Sequence, residues 1–151
     1  MQDPMGGVFR GFDIAATGLR AELQRSEVVA SNLSNMHRTG NAQKTPYRRQ
    51  VLVFEELLDQ ASKGAAAGAR SAPGAAGVQV AKVVEDKTPF PVFYQPGHPD
   101  ADATGQVLGS NVDLFQELVD MSTIERSFDA NLTALRTYRS MLQNTLQHLG
   151  S

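Results

Sequence analysis

The chain has 151 residues, 14 Lys+Arg against 16 Asp+Glu, a net charge of −2 and no cysteine. That balance lacks the clustered positive charge that nucleic acid or anionic lipid calls for, and the missing thiols exclude disulfides, thiolate zinc sites and cysteine nucleophiles. No stretch approaches the ~20 apolar residues that span a bilayer, and the N-terminus lacks the basic, apolar and small-residue order of a cleaved secretory signal.

The first periodic segment runs from about Phe9 to Asn35. Alternate steps of four and three from Phe12 reach Ala16, Leu19, Leu23, Ser26, Ala30 and Leu33, and only Ser26 breaks the apolar row. This heptad-like pattern predicts an amphipathic helix. The polar stretch from Asn35, with Gly40 inside it and Pro46 after it, stops the helix. An N-terminal helical segment 1–36 is expected.

Residues 37–110 are a different kind of sequence. Gln50–Phe54, Val78–Val84 and Phe90–Tyr94 are rich in β-branched and aromatic residues and predict short strands. Residues 62–77, mostly Ala and Gly, carry too little side chain to bury and predict a mobile loop or a linker between strands. The basic cluster Arg38, Lys44, Arg48 and Arg49 reads as a solvated or salt-bridged loop edge without a function of its own. Pro96, Gly97 and Pro99 mark a turn-rich passage before the next helix, with Asn111 as its expected N-cap.

The second periodic segment, Asn111–Leu149 within a C-terminal part 111–151, is the stronger signal. The same walk from Leu114 gives Leu118, Met121, Glu125, Phe128, Leu132, Leu135, Arg139, Leu142, Leu146 and Leu149, broken only at Glu125 and Arg139. Tyr138 projects beside it with Ala130, Ala134 and Met141 as a second strip. A helix of this length reaches roughly 58 Å, more than a compact core of this chain covers, so much of its seam needs a partner. Ser26, Glu125 and Arg139 are polar intrusions that either pair between subunits or turn to solvent. The expected fold is mainly α with a small β insertion, the long terminal amphipathic helices forming a coiled-coil-like pair.

Enzyme chemistry finds no support. His37, His98 and His148 are scattered, and none has a ligand partner at helical i, i+4 spacing. His98, Asp100 and Asp102 offer three candidate ligands, but a capped turn explains them more simply. Glu117, Glu125 and Asp129 flank an apolar seam, where charges set partner choice or solubility. No nucleotide-binding loop or nucleophile elbow is present, and neither a cofactor nor a small-molecule substrate is expected.

ASNLSN, Ala30–Asn35, at the end of an amphipathic N-terminal helix, resembles the signature of the flagellar rod, hook and hook-associated axial proteins. TPYRRQ, Thr45–Gln50, is similar to the segment that follows it in that family, here after a polar insertion. YQPGHPDADATGQV (Tyr94–Val107), NVD (Asn111–Asp113), ELVDM (Glu117–Met121) and RSFDAN (Arg126–Asn131) are most similar to a component of the proximal rod, although Gln106 replaces a usual aromatic. The resemblance adds Asn32, Asn35 and Asn131 to the seam residues as expected assembly contacts. It implies a rod subunit that assembles with itself and with other rod proteins and transmits torque to the hook. It also implies passage through the flagellar type III export apparatus without signal cleavage, to a periplasmic rod, with no membrane-spanning part. Another axial protein, or a cytosolic helical adaptor or chaperone, is the rival reading.

Overall fold

A computed structural model of the chain describes residues 4–57 and 77–149, with side chains for 11–56 and 77–147. In order, the elements are α1 (Pro4–Asn35), β1 (Thr39–Gly40), β2 (Gln50–Leu57), β3 (Gly77–Glu85), β4 (Val92–Tyr94), β5 (Gln106–Gly109) and α2 (Leu114–Leu149). Two long helices therefore flank a central β segment. The expected Ala/Gly-rich loop 62–77 lies outside the described residues, apart from Gly77 at the start of β3.

The helix ends follow local chemistry. α1 opens at Pro4, earlier than the expected Phe9; proline suits a first helical position because the amide it lacks has no partner there. At the other end the Asn35 side-chain amide donates to the Ser31 carbonyl at 2.7 Å, and the Arg38 amide to the Asn35 carbonyl at 3.0 Å. α2 starts at Leu114, and its cap is Asp113, not Asn111. The Asp113 carboxylate accepts the amides of Phe115 and Gln116 at 2.8 and 3.3 Å. Asn111 is drawn off by the chain beside it: it accepts the Arg49 amide at 2.7 Å.

The β segment forms two sheets, one of β2 and β3 and one in the order β1-β5-β4. β5 pairs antiparallel with both neighbours, Gly40 and Val92 meeting Leu108 from opposite sides. β1 and β5 were absent from the expected strands because β1 has two residues and β5 sits inside a turn-rich passage. β4 keeps only Val92–Tyr94 of the expected Phe90–Tyr94. Gly105, at φ 77°, turns the chain into β5 in a region that disfavours a β-carbon.

By contacts the chain divides into two compact units that share the helices. One takes Met1–Gln24, Phe54–Ala81 and Ile124–Ser151; the other takes Arg25–Val53 and Lys82–Thr123. In the first, Ala15, Ala21 and Ile124 are buried. Gly11 lies against the Tyr138 ring, and a β-carbon at Gly18 would stand 2.9 Å from the Asn131 amide. The Thr17 hydroxyl accepts the Val78 amide at 3.2 Å, tying the start of β3 to α1. In the second unit Val29 and Val107 are buried beside a polar group that includes Asn32, Arg49 and Glu117.

The inward row of α1 is offset by one residue from the expected seam. Gly11, Ala15, Gly18, Val29 and Asn32 are close-packed or buried, whereas Phe12 and Leu23 are 41% and 53% exposed and Ala30 is exposed. One residue is about 100° of helix, so the bulky row sits a quarter-turn or more round from the contact. The reason is distance: glycine and alanine let another backbone approach, and large side chains keep it away. On α2, Met121, Phe128, Leu135 and Leu142 are half-buried, but Glu117 and Ile124 fill the inward row in place of Leu118 and Glu125.

Gly40 provides a local test. A β-carbon there would run into the Lys44 carbonyl and stand 2.7 Å from the Pro46 nitrogen, whereas Gly97 has nothing within 4 Å. Gly40→Ala is expected to cost about 1–3 kcal/mol by overpacking, measured by urea denaturation, while Gly97→Ala stays within about 0.5 kcal/mol.

Candidate assembly surface

The second unit is organised round one buried cation. Arg49, in the approach to β2, sends Nε to Glu117 Oε1 at 2.5 Å and Nη2 to Asp120 Oδ2 at 2.9 Å, with Asp86 3.8 Å from Nη1. Glu117, on the first turn of α2, is fully buried, and its other oxygen accepts the Asn32 amide at 3.2 Å. Asn32 in turn accepts the Gln50 amide at 2.9 Å and the Tyr47 hydroxyl at 3.0 Å, and donates to the Gln50 carbonyl at 2.9 Å. Asp120 also binds Arg25 at 3.1 Å. One polar knot thus joins α1, the start of β2 and the start of α2.

Burial works against the Arg49 charge, but the hydrogen bond and charge of Glu117, reinforced by Asp120 and Asp86, outweigh it and raise the guanidinium pKa. Asp86 is held below its ordinary value, first by the Thr88 hydroxyl and then by the Thr88 amide, with Arg49 and Arg48 adding to the effect. Arg48 closes the edge: it donates to the carbonyls of Asp86 and Thr88 at 2.9 and 3.0 Å and lies 4.1 Å over the Phe90 ring.

The structure places three of the expected residues. Arg49 is salt-bridged, one of the two alternatives expected of the basic cluster, but it is buried instead of lying at a loop edge. Glu117 does not set a partner at a seam edge; it neutralises Arg49. Asn32, expected as an assembly contact, is 1% exposed and makes its hydrogen bonds inside the chain. The HPDAD passage is a hydrogen-bonded turn: Asp100 accepts Thr39 at 2.7 Å and Lys44 at 3.3 Å, and Asp102 accepts the amides of Thr104 and Gln106 at 2.8 and 2.9 Å. Ser26 lies 4.0 Å from the Met121 sulfur of the same chain, while Glu125 and Arg139 are exposed.

The seam residues divide by exposure. On α1, Phe12, Leu23 and Ala30 are exposed, and Ala16, Leu19, Leu33 and Asn35 are half-buried. On α2, Leu114, Leu118 and Leu146 are exposed; Met121, Phe128, Asn131, Leu132, Leu135, Tyr138 and Leu142 are half-buried, and the Leu149 side chain lies outside the described residues. The walk missed two of the most open apolar side chains, Phe115 at 78% and Val119 at 66%. Their i, i+4 spacing was the available signal, beside and not on the chosen row. β4 adds Val92, Phe93 and Tyr94, all exposed.

Breaking the knot from one side leaves a charge buried and unpaired. Arg49→Met is expected to destabilise by about 3–5 kcal/mol in chemical denaturation, and the double change Arg49→Met, Glu117→Met to recover most of that loss. Because the folded value of Asp86 is depressed, its contribution is present above the ordinary carboxylate value near pH ~4 and is lost as pH falls through the lowered one. Thr88→Val should therefore flatten the decline of stability with falling pH in that acid range.

The chain's C-terminal part, residues 103–148, matches the family model described as "Flagellar basal body rod FlgEFG protein C-terminal". Over 135 residues the chain is 41% identical to the flagellar basal-body rod protein FlgC of Escherichia coli O6:H1, covering 89% of this chain and 92% of that one. It is 35% identical over 150 residues to the FlgC of Bacillus subtilis, covering 92% and 96%, and 33% identical over 148 residues to that of Agrobacterium fabrum, covering 97% and 96%. These relatives are named as flagellar basal-body rod proteins. With identities of this size across most of its length, the chain belongs to the FlgC family of flagellar basal-body rod proteins.

Proposed function

We propose that this protein is a subunit of the proximal rod that assembles with copies of itself and with neighbouring rod proteins to build the shaft carrying torque to the hook. In this reading residues 1–36 and 111–151 form an inner helical domain whose two helices make a coiled-coil-like pair, and residues 37–110 lie outside it. The subunit reaches the periplasmic rod through the flagellar type III export apparatus without signal cleavage.

The observation that carries the reading is the outward placement of the large apolar side chains. Phe12, Leu23, Leu114, Phe115, Leu118, Val119 and Leu146 are exposed on the two helices, while the inward rows hold Gly, Ala, Val29, Ile124 and hydrogen-bonded polar residues. Full burial of a Leu or Phe side chain contributes about 1.5–3 kcal/mol, and an isolated chain leaves uncollected the share of it that corresponds to each side chain's exposure. A helical rod offers neighbours along and around its axis to cover them.

The test is complementation of a motile bacterium lacking its own copy, comparing the intact chain with Leu118→Asp, Leu146→Asp. Both positions are more than half or about half exposed, at 59% and 50% for Leu146 and Leu118, so the change spares the fold, as circular dichroism will verify. The intact chain is expected to restore basal bodies and swimming. The variant should be exported at normal levels yet absent from purified rods. Equal swimming by both would show that this helix face is not the working surface.

A further inference from the structure

In the second unit an open groove of about 640 Å³ runs between the chain leading into β4 and the first turn of α2. Its apolar walls are Phe90 and Pro91 on one side and Leu114 and Phe115 on the other, and its two charged residues, Asp86 and Asp113, are both acidic. Phe115 is 78% exposed, the most open large apolar side chain among the described residues. Both walls are held from behind. Asn111 donates to the carbonyls of Asp86 and Thr88 at 3.2 Å, and the Gly109 amide donates to the Pro91 carbonyl at 2.9 Å. The groove is therefore preformed, and local collapse could not close it without breaking these bonds.

The charges of α2 are divided along its length. All four acids, Glu117, Asp120, Glu125 and Asp129, precede Leu132, and from Leu132 to Leu149 the only full charges are Arg136 and Arg139. Both arginines are exposed, as are Gln143, Leu146 and Gln147, and with half-buried Leu132 these residues make one face about 100° wide. No acid stands three or four residues from either arginine, so the helix itself offers them no neighbouring counter-charge.

We propose that the groove receives this C-terminal face of α2 from a second copy in the assembled rod, Leu146 packing against the apolar walls and the two arginines facing Asp86 and Asp113. The Asp113 carboxylate caps the amides of Phe115 and Gln116, which answers the positive end of the helix and lets cations approach it. The contact joins the start of one α2 to the end of another. It is heterologous and leaves an unused surface on each copy, the geometry that an open helical assembly needs. The proposal rests on the reading of the chain as a rod subunit and deepens it.

The experiment places cysteines in the full chain, which has none, and isolates rods from a bacterium lacking its own copy. Gln116 lines the groove and Gln143 lies on the docking face, and both are exposed, so the substitutions disturb no buried contact. They stand about 40 Å apart on one helix, so a disulfide between them joins two copies. Gln116→Cys, Gln143→Cys is expected to give a linked pair in rods that neither single variant gives; Gln116→Cys, Thr137→Cys, with the second position about 120° round the helix from Gln143, should give none. Independently, Gln116→Arg and Arg139→Glu should each lower incorporation into rods by roughly tenfold at unchanged export, and the two together should recover most of it. Rods that hold the double-cysteine chain without a link, a link formed equally through Thr137, or a combined swap that recovers nothing each overturn the proposal. If Gln116→Arg assembles normally while Leu118→Asp, Leu146→Asp is excluded, the groove contact is discarded and the rod surface stands. If both assemble normally, the rod surface fails as well.

Discussion

The buried charge of Arg49 is the constraint on which the second unit depends. A guanidinium removed from water is tolerated only if anions and acceptors surround it, and Glu117, Asp120 and Asp86 do so from α2 and from the end of β3. Meeting that requirement fixes where each element begins. α2 must start where Glu117 reaches Arg49, and α1 must present Asn32 to the free oxygen of Glu117 and to the backbone of Gln50. A hydrophobic contact tolerates sliding, whereas these hydrogen bonds hold in one register only.

That internal arrangement leaves the bulky side chains free. Among the described residues the buried positions are held by alanine, Val29, Val107, Ile124, Asn32 and a charge network, while Phe12, Leu23, Phe115 and Leu118 stay exposed. In the proposed rod assembly, helices of neighbouring subunits would cover them.

The helices, their approximate ends and their apolar rows were legible in the sequence because helical periodicity is a local property, set by side chains three and four apart. The family was legible from short passages such as ASNLSN and RSFDAN. β1 and β5 were not, since strands of two and four residues have no period of their own and exist through their partners. The burial of Arg49 was not legible for the same reason: nothing within the run Tyr47–Gln50 tells which of its two arginines meets a carboxylate 68 positions further on.

By itself, then, the sequence determined two long amphipathic helices, a β-rich centre and membership of a family of structural rod proteins. Only the tertiary structure decided which face of each helix turns inward. A heptad walk ranks faces by apolar bulk, but inward contact is chosen by how closely backbones approach and by where a buried charge finds its counter-charges, and both depend on residues far apart in the chain.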